Sequence, residues 1–133
     1  MDLQVSLITP DRVLWEGRVE EVQLSTTTGG MGILPNHAPL LTTLDIGTVH
    51  LRNNNEWISF AVMGGFATIK ENMLTLIVNQ AELGTDLDKE TVESKLNRAK
   101  EVLDEVSTPP DRIEAELAYR KAKARYEATL VKS

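Results

Sequence analysis

The chain has no cysteine in its 133 residues. That excludes disulfides, thiolate metal sites and cysteine nucleophiles at once, and it fits a reducing compartment. A basic surplus is also missing: 14 Lys and Arg stand against 20 Asp and Glu, for a net charge of −6. A nucleic-acid binder normally shows a basic face, so no nucleic-acid partner is expected. No apolar run reaches the length of a membrane span, and the N-terminus lacks a basic segment followed by an apolar one. The chain is expected to be soluble, with membrane contact only through a partner. Histidine is limited to His37 and His50, and no glycine follows Gly84. That last absence divides the chain.

What is present suits one compact unit or a domain with an appendage, at 41% hydrophobic and 26% charged residues. Residues 1–85 read as many short strands. Leu3-Gln4-Val5-Ser6-Leu7-Ile8-Thr9 alternates apolar and polar, and Thr9-Pro10-Asp11-Arg12 supplies turn chemistry. Val13-Leu14-Trp15 resumes extended structure, and Glu16-Gly17 is expected to break it. Residues 18–25 form a longer strand whose phase slips between Val19 and Val22, predicting a bulge near Glu20-Glu21. Further strands are expected over 40–44, 48–52, 57–62, 66–70 and 73–78. Asp45-Ile46-Gly47, Asn53-Asn54-Asn55, Gly64-Gly65 and Glu71-Asn72 separate them. Short strands at close spacing predict an antiparallel β-sandwich.

Residues 86–133 change period. Val92, Leu96, Ala99, Leu103 and Val106 recur at helical spacing, with Asp88 as N-cap and Glu90 and Glu93 in the first turns. Ser107-Thr108-Pro109-Pro110-Asp111 ends that helix and opens a second, which is expected to run to about Val131. Its inner face is read as Ala115, Ala118 and Ala122, with Ala124 and Ala128 near another side. Small residues allow close approach but bury little area, so the antiparallel two-helix hairpin is expected to be weakly held. The fold class is therefore α+β, a sandwich followed by a helical hairpin. Charge divides unevenly as well. Residues 1–85 hold nine acids and four bases, whereas Arg120, Lys121, Lys123, Arg125 and Lys132 cluster at the end with only Glu127 opposing. An acidic partner is expected there.

Residues 29–42 form the stretch with the strongest punctuation, Gly29-Gly30-Met31-Gly32 followed by Ile33-Leu34-Pro35-Asn36-His37-Ala38-Pro39. They are read as a shaped loop leading into a strand. A phosphate loop needs Lys-Ser/Thr at the mouth of a helix, and none follows. His37 and His50 lack the spacing of a metal pair, and Asp86, Asp88 and Glu90 lack a calcium loop's glycine and twelfth-position Glu. No serine elbow or isolated carboxylate pair is present, so catalytic and metal residues are both read as none. Met31 is read as the exposed contact residue of the loop, and Trp57 as core.

Gly32-Ile33-Leu34-Pro35-Asn36-His37-Ala38-Pro39-Leu40-Leu41-Thr42, then Met63-Gly64-Gly65-Phe66-Ala67, then the helical tail, resemble the epsilon subunit of F-type ATP synthase across the whole chain. Thr9-Pro10-Asp11-Arg12-Val13-Leu14-Trp15 with Leu24-Ser25-Thr26 is most similar to the cyanobacterial and chloroplast branch. The resemblance implies a non-catalytic rotor subunit without a cofactor. It would act on the cytoplasmic or stromal face of a thylakoid or bacterial inner membrane, coupling rotation to proton-driven ATP synthesis. The implied partners are the gamma subunit, the c-ring and the beta subunit.

By the same resemblance, Gly30, Met31, His37 and Ala38 fall in the contact loop for c-ring and gamma. Gly30 stands where some members carry an acid. The hairpin either folds on the sandwich or extends, and Arg120, Lys121, Lys123 and Arg125 then meet an acidic segment of beta and block ATP hydrolysis. Some relatives bind ATP through Leu/Ile-Asp-x-x-Arg-Ala. Here Leu87-Asp88 is followed by Thr91 at the arginine position, leaving Glu82, Asp88 and Arg98 as partial ATP contacts. The alternative is a free-standing ATP-sensing module of sandwich and hairpin. A small sandwich enzyme is disfavoured by its missing chemistry.

Overall fold

The computed structural model describes residues 2–130, so Val131 and Lys132 lie outside the described residues. Strand β1 (Leu3–Ile8) buries Leu3, Val5 and Leu7 and turns Gln4, Ser6 and Ile8 outward, as its alternation requires. Strand β2 (Val13–Val19) pairs antiparallel with it. The expected break at Glu16-Gly17 does not occur. The strand runs on through Gly17, which pairs with Val5 and leaves room for the Trp15 ring, since a Cβ there would stand 2.9 Å from the indole.

Strand β3 (Glu21–Thr26) is a separate strand. Val19 pairs with Leu3, whereas Glu21 pairs with Arg52, so the phase slip near Glu20 marks a passage between layers and not a bulge. Val19 and Val22 then reach one core from opposite sides. Residues 29–33 are also extended: strand β4 (Gly29–Ile33) forms a hairpin with β3, and the loop shrinks to residues 34–39.

Strands β5 (Leu40–Asn53) and β6 (Glu56–Lys70) run through both expected interruptions. Their ladder is broken only where Asp45 stands opposite Gly64, and both strands bend there. Long bent strands serve two layers. Residues 40–44 and 65–70 join β1, β2 and β7 (Met73–Val78), while residues 46–53 and 56–63 join β3, β4 and β8 (Ala81–Leu83). The pairing of β1 with β7 is parallel; the other pairings are antiparallel. Between the layers lie Leu3, Leu7, Val22, Leu51, Leu74 and Leu76, all essentially inaccessible.

A one-turn 3-10 helix (Gly84–Asp86) leads into α1 (Lys89–Glu105) and α2 (Pro109–Ala128). Asp88 caps α1 as expected, and Val92 with half-buried Leu96, Ala99, Leu103 and Val106 forms its inner stripe. Thr108 is the N-cap of α2, with its hydroxyl bonded to Asp111 Oδ2 at 2.7 Å and Pro109 at the first position. Of the alanines assigned to the inner face, Ala115 and Ala122 are buried but Ala118 is exposed. The helix divides its small residues between two neighbours, α1 and the sandwich, and Ala118 meets neither.

Candidate functional site

The expected contact loop is not one site. Gly30 and Met31 belong to β4, and the Met31 side chain packs against the sandwich core. Trp57 takes the opposite role, half-buried outside the core clusters and edge-on to His50 at 6.4 Å between ring centroids. Strand parity decides both positions: Met31 shares the inward phase of Ile33, and Trp57 the outward phase of Ser59. Gly30 is about 10 Å along the strand from the start of the loop that carries His37 and Ala38.

That loop is clasped to the β6–β7 turn. The Asn36 amide donates to Asn72 Oδ1 at 2.5 Å, and Asn72 Nδ2 donates to Asn36 Oδ1 at 3.3 Å. Asn36, Glu71 and Asn72 all have positive φ, which asparagine accommodates better than most residues. The His37 amide closes the turn onto the Leu34 carbonyl at 3.2 Å, and His37 Nδ1 lies 2.7 Å from the Ala38 carbonyl. The end of the sandwich is therefore a composite of two turns, with Leu34 exposed beside them.

The two outer faces of the sandwich differ. On the first layer, Val13, Ile8, Ile77, Phe66 and Thr43 line up in one row across five strands. Phe66 is 54% exposed, Leu41 on the neighbouring strand 72%, and Met73 is exposed at the edge. Thr68 and Thr75 fill the centre of the face, with Lys70, Glu16 and Arg18 at its rim. A bare sheet face with this many apolar side chains has the character of surfaces that mark interaction sites. This face was not anticipated from the sequence, although Phe66 shares its strand phase with the polar Thr68 and Lys70.

The outer face of the second layer is covered by α2. Ala124 and Ala128 pack on Ala61 and Met63, with Ile46 beside them. Gly84 allows the contact: a Cβ there would stand 1.9 Å from the Ala128 carbonyl oxygen. Ion pairs flank the alanines, Arg120 with Asp45 and Arg125 Nε with Glu82 Oε2 at 2.8 Å. Lys123 pairs within the helix to Glu127 at 3.9 Å, and Lys121 makes no ion pair among the described residues. A buried methyl contributes about 0.8 kcal/mol and a half-exposed ion pair about 0.5 kcal/mol, so no single contact dominates the seam.

The three partial ATP contacts are not assembled. Glu82 is engaged by Arg125, and Asp88 accepts from the hydroxyl and amide of Thr91 at 2.5 and 3.1 Å. These bonds, the hydroxyl's foremost, hold the Asp88 carboxyl below its ordinary pKa. Arg98 is exposed about 15 Å further along the helix. Among the described residues there is no cluster of three metal-ligating side chains, and no helix long and apolar enough to cross a membrane.

Fold and surfaces together define a two-part module, a β-sandwich with one bare face and one face covered by a helical hairpin. Residues 2–84 match the family model described as the ATP synthase delta/epsilon chain β-sandwich domain, and residues 85–129 match that of its long α-helix domain. The chain belongs to the ATP synthase delta/epsilon chain family. It is 45% identical over 133 residues to the chloroplastic ATP synthase epsilon chain of Staurastrum punctulatum, covering all of this chain and 96% of that one. The epsilon chain of Gloeothece citriformis is 46% identical, with 97% and 96% covered, and that of Microcystis aeruginosa 47%, with 96% and 95% covered. The same fold occurs in a chain of the Euglena gracilis mitochondrial ATP synthase, in a structure of OSCP, F1 and c-ring. Its TM-score is 0.84 at 19% identity, covering 97% of this chain and 82% of that one. A Tetrahymena thermophila central stalk and c-ring structure gives 0.63 at 16%, with 98% of each covered.

Proposed function

We propose that this chain is a non-catalytic subunit of the ATP synthase central stalk, turning with gamma and the c-ring and restraining ATP hydrolysis through its hairpin. The observation that carries the docking half is the bare first-layer face, where Phe66, Ile77, Leu41 and Val13 are exposed while the opposite face is covered by α2. Gamma takes this face. The c-ring takes the sandwich end formed by the loop with His37 and Ala38 and the clasped turn at Asn72; Gly30 contributes open backbone on the edge strand. The whole then sits against the membrane through the complex and not through a span of its own.

The inhibitory half rests on α2. Its hold on the sandwich is a sum of small contributions, so the hairpin is able to leave at modest cost. Once extended, Arg120, Lys121, Lys123 and Arg125 present four cations within six residues to an acidic segment of beta. The engaged states of Glu82 and Asp88 support this reading over an ATP sensor. Co-purification with gamma tests the docking half: wild type is expected to be recovered stoichiometrically and Phe66→Asp to be lost. Recovery of the variant equal to wild type would place gamma elsewhere.

A further inference from the structure

Two of the four cations assigned to an outside acidic partner are already held by carboxylates of the sandwich. Arg120 and Arg125 are five residues apart and so leave α2 about 140° apart around its axis, with Ala124 and Ala128 falling between them. The alanine strip therefore has an arginine on each flank, one on Asp45 and the other on Glu82. Both carboxylates are preset by the sandwich. Asp45 Oδ1 accepts from the Ile46 amide at 2.8 Å at the bend of β5, and Glu82 Oε1 accepts from the Gln80 amide group at 3.3 Å. Beside the Arg120 pair a polar cleft lined by Ser25, Asp45, Thr48, Arg120, Lys123 and Glu127 opens to solvent. Ions and competing charges can reach it there.

We propose that Asp45 and Glu82 form an electrostatic latch that stands in for the acidic partner and keeps the hairpin down until an external carboxylate surface exchanges with them. Exchange of one carboxylate for another conserves the number of ion pairs. The ionic contribution therefore nearly cancels between the two hairpin positions, and differential affinity has only the small alanine seam to offset. The latch rests on the reading of the hairpin as a movable regulatory element, and it adds the residues that set its release.

The absence of cysteine makes the test clean, because Thr68→Cys and Ala118→Cys carry spin labels at two exposed places only. Pulsed electron resonance on the full chain then reads the fraction of detached hairpin at low salt and at about 0.5 M salt. In the wild type this fraction is expected to rise with salt. Asp45→Asn with Glu82→Gln is expected to raise it roughly fivefold at low salt and to remove the salt response. The swap of Asp45→Arg with Arg120→Asp, made with Glu82 intact, should return it to the wild-type value. Equal detached fractions in wild type and double variant, or an undiminished salt response in the variant, overturn the latch. ATPase inhibition by the unlabelled proteins separates the two readings. A released hairpin with unaltered inhibition leaves the latch standing and overturns the inhibitory role, whereas unaltered distances beside normal inhibition overturn the latch alone.

Discussion

Gly84 is where the two parts of the chain touch most closely, backbone against the last turn of α2. A methyl group there meets the Ala128 carbonyl oxygen at 1.9 Å and, far less tightly, the Ser59 carbonyl oxygen of β6 at 3.2 Å, so Gly84→Ala acts first on the seam. We predict faster proteolysis within residues 89–128 of this variant, with a smaller effect on sandwich melting; cleavage at the wild-type rate would refute the close contact. Asp88 is the other residue with a single identifiable duty. Its folded pKa is depressed by the Thr91 hydroxyl and amide, so its cap contribution is complete above the ordinary value of about 3.9 and is lost as pH falls through the lower folded value. Acid titration followed by far-ultraviolet circular dichroism should therefore show loss of helix at that end of the scale. Asp88→Ala should lack this acid-dependent component and start from lower helicity at neutral pH. Both roles differ in legibility. The cap is visible in sequence because its donor is three residues away, whereas the duty of Gly84 depends on a partner 44 positions on (128 − 84).

At the scale of elements, local signals located helices better than strand ends. The α1 stripe and both caps follow from spacing within one or two turns. Asp45-Ile46-Gly47 and Gly64-Gly65 carry ordinary turn chemistry, yet they form a shared bend inside two long strands because each supplies the other's ladder. The same limit explains Met31 and Trp57, whose sides depend on the parity of strands delimited by pairing. Helix α2 shows what a two-sided element demands. Ala122 is buried against neighbours while Ala118 is exposed. We predict that Ala122→Leu overpacks and destabilises the folded hairpin by about 1–3 kcal/mol, whereas Ala118→Leu changes stability by less than about 0.5 kcal/mol. Equal thermal melting of the two variants would contradict the assignment of faces.

The whole molecule is asymmetric in what it leaves uncovered. One sheet face is bare and carries Phe66 in the middle of an apolar row, and the other lies beneath α2. Removing a central aromatic anchor typically costs an interface about 2 kcal/mol, or roughly 30-fold in affinity. We predict a loss of that size for Phe66→Asp against gamma, measured by titration calorimetry, with the variant's own melting near wild type because the side chain is exposed. The covered face makes the complementary prediction. A cross-link between Ala61→Cys and Ala124→Cys should keep the hairpin down and abolish inhibition of ATP hydrolysis in the reconstituted complex; retained inhibition would exclude an extended blocker. A bias of about 5.5 kcal/mol moves a two-state population from 1:99 to 99:1, within reach of a seam built from alanines and half-exposed ion pairs.

By itself the sequence determined the sandwich and hairpin classes, the helix caps and the family motifs around Pro35 and Gly64. Each of these is a matter of period or spacing over a few residues. Only the tertiary structure decided which face stays bare, that Met31 turns inward, and that Arg120 and Arg125 are held by Asp45 and Glu82. Those partners stand 75 and 43 residues away. Nothing local in a charge cluster distinguishes an arginine waiting for an outside partner from one already paired across the fold.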